Sequence, residues 1–259
     1  MVDFLDILVK DAKKTITEGY YIIEDKAERI HSSLKEHIMN CKHVPVIAEI
    51  KPASPTHGRL RDIFNLKQIV HAIERGGASG ISILTEPKHF GGSLRSLIEA
   101  RTYTKLPILM KDVIVDPIQI EAASRVGANA VLLIFSVYER NYAEYSIHEM
   151  IDFAHKIGLE VLLETHNKKQ FLSALSTDAD LIGINNRDLR NLNVDLNITK
   201  KILSEVNNPN KIIVSESGVQ TPTHIRFLHN CGAKAFLIGS AIMLADDIEA
   251  KVRELVMAI

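Results

Sequence analysis

Val46-Ile47-Ala48-Glu49-Ile50-Lys51-Pro52-Ala53-Ser54-Pro55 is a short apolar run that ends in a carboxylate and an amine two residues apart, followed by a Ser-Pro turn and then Gly58. On a strand, side chains alternate between faces, so Glu49 and Lys51 share one. Two opposite charges facing inward at the end of a buried strand are costly unless they are paired or used. One such pair is compatible with a structural ion pair closing the end of a sheet or barrel. The recurrence of the pattern decides between the two readings.

Working outward, seven more apolar runs follow: Gly80–Leu84, Leu106–Met110, Ala130–Phe135, Leu159–Leu163, Leu181–Ile184, Lys211–Val214 and Ala235–Ile238. Near-continuous apolar strands are what a parallel sheet buried on both faces requires. Amphipathic stretches lie between them, at Leu66–Arg75, Ser93–Thr102, Pro117–Val126, Tyr142–Ile157, Lys168–Leu175, Leu196–Val206 and Thr221–Cys231. Several end in Gly or Gly-Ala just before the next strand, the expected left-handed helix cap. A last helix is predicted over Ile248–Met257. Eight βα units in about 215 residues predict an α/β protein of the (β/α)8 (TIM) barrel class. An open doubly wound sheet is disfavoured, because no Gly-x-Gly-x-x-Gly follows the first strand. The 259 residues are read as one domain, with 1–43 as an N-terminal helical extension and 44–259 as the barrel. Residues 4 to about 40 are predicted helical, broken near Gly19, and placed over one end of the barrel.

Composition narrows the classes. The chain is 46% hydrophobic and 24% charged with a net charge of -1, so no nucleic-acid or acidic-membrane partner is expected. Cys41 and Cys231 are too few and too far apart for a disulfide framework. The N-terminus carries Asp3 and Asp6 in place of a basic-then-apolar leader, and no run approaches the roughly 20 apolar residues of a membrane span. A cytoplasmic location is the expectation. The outer helices carry no obvious apolar stripe, so a monomer is expected.

In a barrel of this class the active site lies at the carboxyl ends of the strands. Those ends read Glu49 and Lys51; Thr85-Glu86-Pro87 with Phe90; Lys111-Asp112; Glu164-Thr165-His166; Asn185-Asn186-Arg187-Asp188; Ser215-Glu216-Ser217-Gly218; and Gly239-Ser240. Only the fourth run ends blandly, in Phe135-Ser136. Polar ends converging on one mouth are the default site. Ser217-Gly218 and Gly239-Ser240 put small residues and backbone N–H groups where many barrels hold a phosphate. Turn chemistry is the plainer account of such residues. Like charges in one apolar mouth, Lys51 and Lys111, are expected to lower the pKa of at least one of the two, while Glu49 and Glu164 pull the other way. The residues alone leave open whether a lysine donates a proton or forms an imine. His166 lies past its strand end with no matched ligand cluster, so no metal site is predicted.

The set of motifs resembles one family. Glu49-Ile50-Lys51-x-x-Ser54-Pro55, Leu84-Thr85-Glu86-Pro87-x-x-Phe90-x-Gly92-Ser93, Lys111-Asp112-x-Ile114-x-Asp116-Pro117, Gly183-Ile184-Asn185-Asn186-Arg187-Asp188-Leu189, Ser215-Glu216-Ser217-Gly218 and Ile238-Gly239-Ser240 look like indole-3-glycerol-phosphate synthases of tryptophan biosynthesis. The likeness covers residues 44 to 245. It implies ring closure of 1-(2-carboxyphenylamino)-1-deoxyribulose 5-phosphate with loss of CO2 and water, needing no cofactor and no metal. By that resemblance Lys111 is the proton donor to the ketone and Glu164 the general base, assisted by Glu49 and Lys51. Ser54, Phe90, Leu133, Asn185, Arg187 and Glu216 bind substrate, and Ser217, Gly218, Gly239 and Ser240 hold its phosphate. Plain core packing accounts equally well for Phe90 and Leu133. Three positions depart from the family. Pro52 stands where a basic residue is usual, His57 where Lys is common, and Val113 where an aromatic often follows Lys-Asp. These imply a looser ring pocket and a stiffer first loop. Other phosphosugar barrels, an isomerase or a Schiff-base aldolase, are the neighbouring enzyme readings. A silent barrel that only binds a phosphorylated metabolite is the reading outside enzymes; it is disfavoured because Lys111 and Glu164 are both present.

Overall fold

The computed structural model describes residues 3–24, 27–28, 30–56, 58–61, 65–206 and 209–259. Eight parallel strands close on themselves: β1 (Val46–Ile50), β2 (Gly80–Leu84), β3 (Ile108–Lys111), β4 (Ala130–Ile134), β5 (Glu160–Thr165), β6 (Leu181–Asn185), β7 (Ile212–Glu216) and β8 (Ala235–Ile238). Each pairs with the next, and β8 returns to β1 with Val46 opposite Phe236. Every residue of β1, β2, β4 and β6 is buried. The predicted (β/α)8 barrel is the observed fold, with strand edges within about three residues of the expected ones.

The helices form where the sequence caps them. In α5 (Pro117–Arg125) the Asp116 carboxylate accepts from the first-turn backbone and the Gln119 side chain answers it, with Pro117 opening the first turn, where its missing N–H costs nothing. Ser146 and Glu149 do the same for α7 (Ile147–Lys156). Gly127, at φ 87°, ends α5 in the left-handed region that favours glycine. The remaining outer helices are α3 (Leu66–Arg75), α4 (Leu94–Arg101), α8 (Lys168–Leu175), α9 (Asn197–Leu203), α10 (Pro222–Asn230) and α12 (Ile248–Val256). Two short helices leave strands directly, α6 (Phe135–Glu139) after β4 and α11 (Ser240–Met243) after β8. No helix among the described residues is long and apolar enough to cross a membrane.

The N-terminal extension departs from expectation. It holds α1 (Phe4–Thr17) and only a short α2 (Leu34–Met39), and the described residues between them are not helical. Their groups find partners on the barrel in place of a helical ladder. Tyr20 Oη donates to the Thr85 carbonyl (2.9 Å) and accepts from Leu94 N (3.0 Å). Tyr21 Oη donates to Asp112 Oδ2 (3.0 Å). Lower down, Ala27 N donates to the Arg125 carbonyl and Asn129 Nδ2 to the Ile30 carbonyl. The extension therefore reaches both ends of the barrel. Phe4 and Leu8 of α1 line the mouth, while Leu34 of α2 is fully buried over Gly80 at the start of β2. There the Ser33 hydroxyl and Leu34 N donate to the carboxylate of Glu160, which opens β5.

Asp112 is the buried anchor of this strap, accepting from Tyr21, the Thr85 hydroxyl and Val113 N. Burial outweighs those three donors and pushes its carboxyl up to about 6. A carboxyl raised on folding contributes stability that is fully present below its unfolded range and is lost as pH rises through the folded value. Between about pH 4 and 6 the parent protein is therefore expected to lose on the order of 3 kcal/mol relative to Asp112→Asn, which cannot titrate. Urea unfolding of both proteins across that range measures it; equal pH slopes would refute the buried, ionising Asp112.

Candidate active site

The strand ends open on a cavity of about 600 Å³. Two groups of paired charges stand in it, with Glu86, Asp112 and Arg187 elsewhere on its wall. At the end of β1, Lys51 Nζ lies 2.6 Å from Glu49 Oε1. At the end of β3, Lys111 Nζ donates to Glu164 Oε2 of β5 (3.2 Å) and to Glu216 Oε2 of β7 (3.0 Å). Glu49, Glu164 and Glu216 are all buried. Burial alone would push the Lys111 ammonium down, but Glu216, then Glu164 and Glu49, overcome it and hold Lys111 well above the ordinary lysine range. Of the two opposed influences expected from the sequence, the carboxylates win at Lys111. Burial pulls Glu164 upward, yet Lys111, His166 and Asn185 together hold it well below the usual carboxylate range. Glu216 goes the other way, raised by burial and by Glu164 despite Lys111. One ammonium thus sits between two carboxylates of opposite tendency.

Two glycines make room for this cluster. A Cβ at Gly183, in the middle of β6, would stand 2.2 Å from Glu216 Oε1, and one at Gly239 would stand 2.4 Å from Glu49 Oε1. Gly183→Ala is expected to lose about 1–3 kcal/mol of stability through overpacking and about a hundredfold in turnover, because Glu216 is pushed off Lys111. Thermal unfolding and steady-state kinetics read the two effects. Parental turnover in that variant would mean that Glu216 is not needed where it stands.

The remaining wall of the cavity is built by backbone and apolar groups. Ser217 (φ 65°) and Gly218 (φ 83°) follow β7 in consecutive left-handed conformations, and both line the cavity with Gly239 and Ser240. Asn186 pins this turn. Its Nδ2 donates to Ser215 Oγ and to the carbonyls of Glu216 and Ser217, while its Oδ1 accepts from Thr199 N and Oγ1 of α9. Nothing in the sequence distinguishes Asn186 from the neighbouring candidate Asn185, whose Oδ1 accepts from Arg187 N. Arg187 lines the cavity and donates to the Leu192 carbonyl. Phe90 reaches the mouth on a loop that the buried Glu86 carboxylate holds through Lys88 N, His89 N and Phe90 N. Ser54 also lines the cavity, on the neighbouring first loop, where Ala53 N donates to the Phe90 carbonyl (3.1 Å).

Leu133 is a correction. The cavity is lined by Leu132 and Ile134, and alternation along β4 turns the fully buried Leu133 away from the mouth. Of the three departures, Val113 does line the cavity. Pro52 fixes the first loop through its carbonyl, which accepts from Leu60 N (2.7 Å) and Arg61 N (3.3 Å). His57 lies outside the described residues. His166 follows β5 directly, as expected, and its Nε2 is 3.2 Å from Glu164 Oε1. No group of three or more potential metal ligands occurs among the described residues.

A closed parallel barrel with two lysine–carboxylate groups at the carboxyl ends of its strands defines a (β/α)8 protein with a charged, polar mouth where such barrels carry their sites. The sequence profile of the family described as indole-3-glycerol phosphate synthase matches residues 7–255, and the chain belongs to that family. It is similar to the indole-3-glycerol phosphate synthase of Methanocaldococcus jannaschii, 42% identical over 255 residues, covering 96% of this chain and 91% of that protein. It is also similar to the one from Methanopyrus kandleri, 43% identical over 218 residues, covering 83% and 84%. Among solved structures it resembles a thiamine phosphate pyrophosphorylase from Pyrococcus furiosus, with TM-score 0.59, 18% identity and coverage of 82% and 93%. At that identity the likeness concerns the fold alone.

Proposed function

We propose that this chain closes the indole ring of indole-3-glycerol phosphate from 1-(2-carboxyphenylamino)-1-deoxyribulose 5-phosphate, releasing CO2 and water, as a carboxy-lyase of tryptophan biosynthesis. The observation that carries this reading is the Lys111 ammonium fixed between Glu164 and Glu216 at the cavity wall. The ring carbon bearing the carboxylate attacks the ketone, and charge develops on the ketone oxygen. Lys111 is charged and directed, so it donates a proton there. Loss of CO2 returns the bonding electrons to the ring system. Dehydration then needs a base for the carbon-bound proton and an acid for the departing hydroxyl. Glu164, held ionised, serves as the base, and the Lys51–Glu49 pair assists with the hydroxyl. Arg187 and Asn185 hold charged and hydroxyl groups of the substrate, with a forked guanidinium suited to an anion. Ser217, Gly218, Gly239 and Ser240 offer backbone N–H and hydroxyl donors to the phosphate. Phe90, Val113, Leu132 and Ile134 supply apolar surface for the aromatic ring, with Ser54 on the neighbouring first loop.

An imine mechanism fits less well. An imine-forming lysine must be neutral, and two carboxylates keep Lys111 charged. Borohydride with substrate is accordingly expected to leave Lys111 and Lys51 unmodified. The deciding experiment is indole fluorescence on adding the substrate, with EDTA present and no metal supplied. A rising indole signal is the expected result; a flat trace sinks the reading.

A further inference from the structure

We propose that Asn186, set by Thr199, is a positioning residue for the phosphate: it aims the Ser217 and Gly218 N–H groups before the ligand arrives. This rests on the reaction assigned above, which places the substrate phosphate against that turn. Neither Asn186 nor Thr199 is among the residues that line the cavity, whereas Ser217 and Gly218 are. Both Asn186 and Thr199 are fully buried, so they act on a ligand only through the residues they hold.

The turn needs holding. Ser217 carries a Cβ and stands at φ 65°, a conformation that such residues avoid unless their surroundings enforce it. Asn186 Nδ2 donates to the carbonyls of both Glu216 (2.9 Å) and Ser217 (3.2 Å). In a trans peptide the N–H points opposite to the C=O, and the chain has no cis bonds among the described residues. Drawing those two carbonyls onto buried Asn186 therefore turns the N–H groups of Ser217 and Gly218 away from it. Neither N–H donates to another group among the described residues. Two successive free N–H groups on one cavity wall suit an anion. The Glu216 carbonyl also accepts from Asn186 N (2.9 Å), and Ser215 Oγ, the third oxygen that Nδ2 reaches, also meets Thr199 Oγ1 (3.1 Å). The Ser217 carbonyl has no second donor among the described residues, so the Gly218 N–H depends on the Asn186 side chain most directly.

Thr199 decides which way the amide faces. Asn186 Oδ1 accepts from Thr199 N (3.2 Å) and Thr199 Oγ1 (2.8 Å). A backbone N–H can only donate and a carbonyl can only accept. The amide oxygen must therefore point to α9 and the amide nitrogen to the turn. The other side of the turn is closed by packing: a Cβ at Gly218 would stand 2.5 Å from Val194 Cγ1. The loop carrying Val194 is tied to the same asparagine, whose carbonyl accepts from Asp195 N (2.9 Å).

The test compares the parent protein with Asn186→Leu and Thr199→Val, neutral changes that put no new charge near the phosphate. Titration calorimetry measures binding of indole-3-glycerol phosphate and of its phosphate-free form, indole-3-glycerol. Asn186→Leu is expected to weaken the phosphorylated ligand about ten- to a hundredfold and the phosphate-free one by less than about threefold. In the indole assay the same variant is expected to raise KM with kcat within about threefold of the parent. Thr199→Val removes one hydroxyl and is expected to weaken the phosphorylated ligand about three- to tenfold. It carries the comparison should Asn186→Leu fail to fold. Equal weakening of the two ligands, or parental affinity for the phosphorylated one in either variant, overturns the positioning role. A parent protein that binds both ligands equally overturns the placement of the phosphate instead, so the two failures are distinguishable.

Discussion

Lys111→Met is expected to reduce kcat by about a thousandfold or more while leaving KM within a few-fold. Met keeps the length and the apolar stem and removes only the ammonium. The ketone oxygen then loses its proton donor at the moment charge develops on it, a loss confined to the transition state. The substitution also reaches the fold. Glu164 and Glu216 are buried and are both bonded to Lys111 Nζ, so its removal leaves two carboxylates facing one another without a cation. Breaking a buried ion pair from one side costs about 3–5 kcal/mol. Part of that is avoided if a carboxyl takes up a proton, which raises its folded pKa above the unfolded value. Stability of that kind is present at low pH and disappears as pH rises. Lys111→Met is therefore expected to be close to the parent at pH 5 and clearly weaker at pH 8 in urea unfolding. Adding Glu216→Gln should recover much of the stability at pH 8 and none of the turnover. Turnover within tenfold of the parent in Lys111→Met would remove Lys111 from the reaction.

The barrel was legible because a parallel barrel imposes a pattern that sequence carries. Strands buried on both faces must be apolar along their length, so the few polar residues collect at the ends, where they are visible. Glu49, Lys111, Glu164, Asn185 and Glu216 stand out in the sequence because each closes an apolar run. The same uniform apolarity hid which face is which. Nothing in Ala130-Val131-Leu132-Leu133-Ile134 marks an inward side, and Leu133 was placed on the wrong one. Gly183 reads as an ordinary interruption of a strand, and its role appears only when the space left for Glu216 is seen. Pairing across the barrel was equally invisible, because Lys111 and Glu216 are 105 residues apart. Residues 20–23 belong to a stretch, 4 to about 40, whose apolar side chains recur at roughly helical spacing, but the partners that draw Tyr20 and Tyr21 out of a helix, Thr85, Leu94 and Asp112, belong to other elements. Tertiary hydrogen bonds outweighed local propensity there, as they commonly do.

Glu164→Gln is expected to cost about 10²–10⁴ in kcat, since an amide of nearly the same shape cannot take up the carbon-bound proton. Its effect on stability carries an opposite sign from that of Lys111→Met. Glu164 is held well below the usual carboxylate range, so its contribution is present above the ordinary glutamate range and is lost as pH falls through the folded value. The parent should therefore exceed Glu164→Gln in stability at pH 7, with the gap closing toward pH 2–3. At the same time Glu216 loses the neighbour that helps raise it, and Lys111 keeps that one partner, so the cluster stays neutral in sum and the fold is retained. Glu164→Asp separates charge from position. It preserves the carboxylate but draws it back by one methylene from Lys111, and a displacement of about 1 Å can cost about a hundredfold. If Asp restores the pH dependence of stability without restoring turnover, the reaction depends on where the carboxylate stands as well as on its charge. If Glu164→Gln turns over at the parental rate, the base is another group, and the sharing of Lys111 between two carboxylates serves the fold alone.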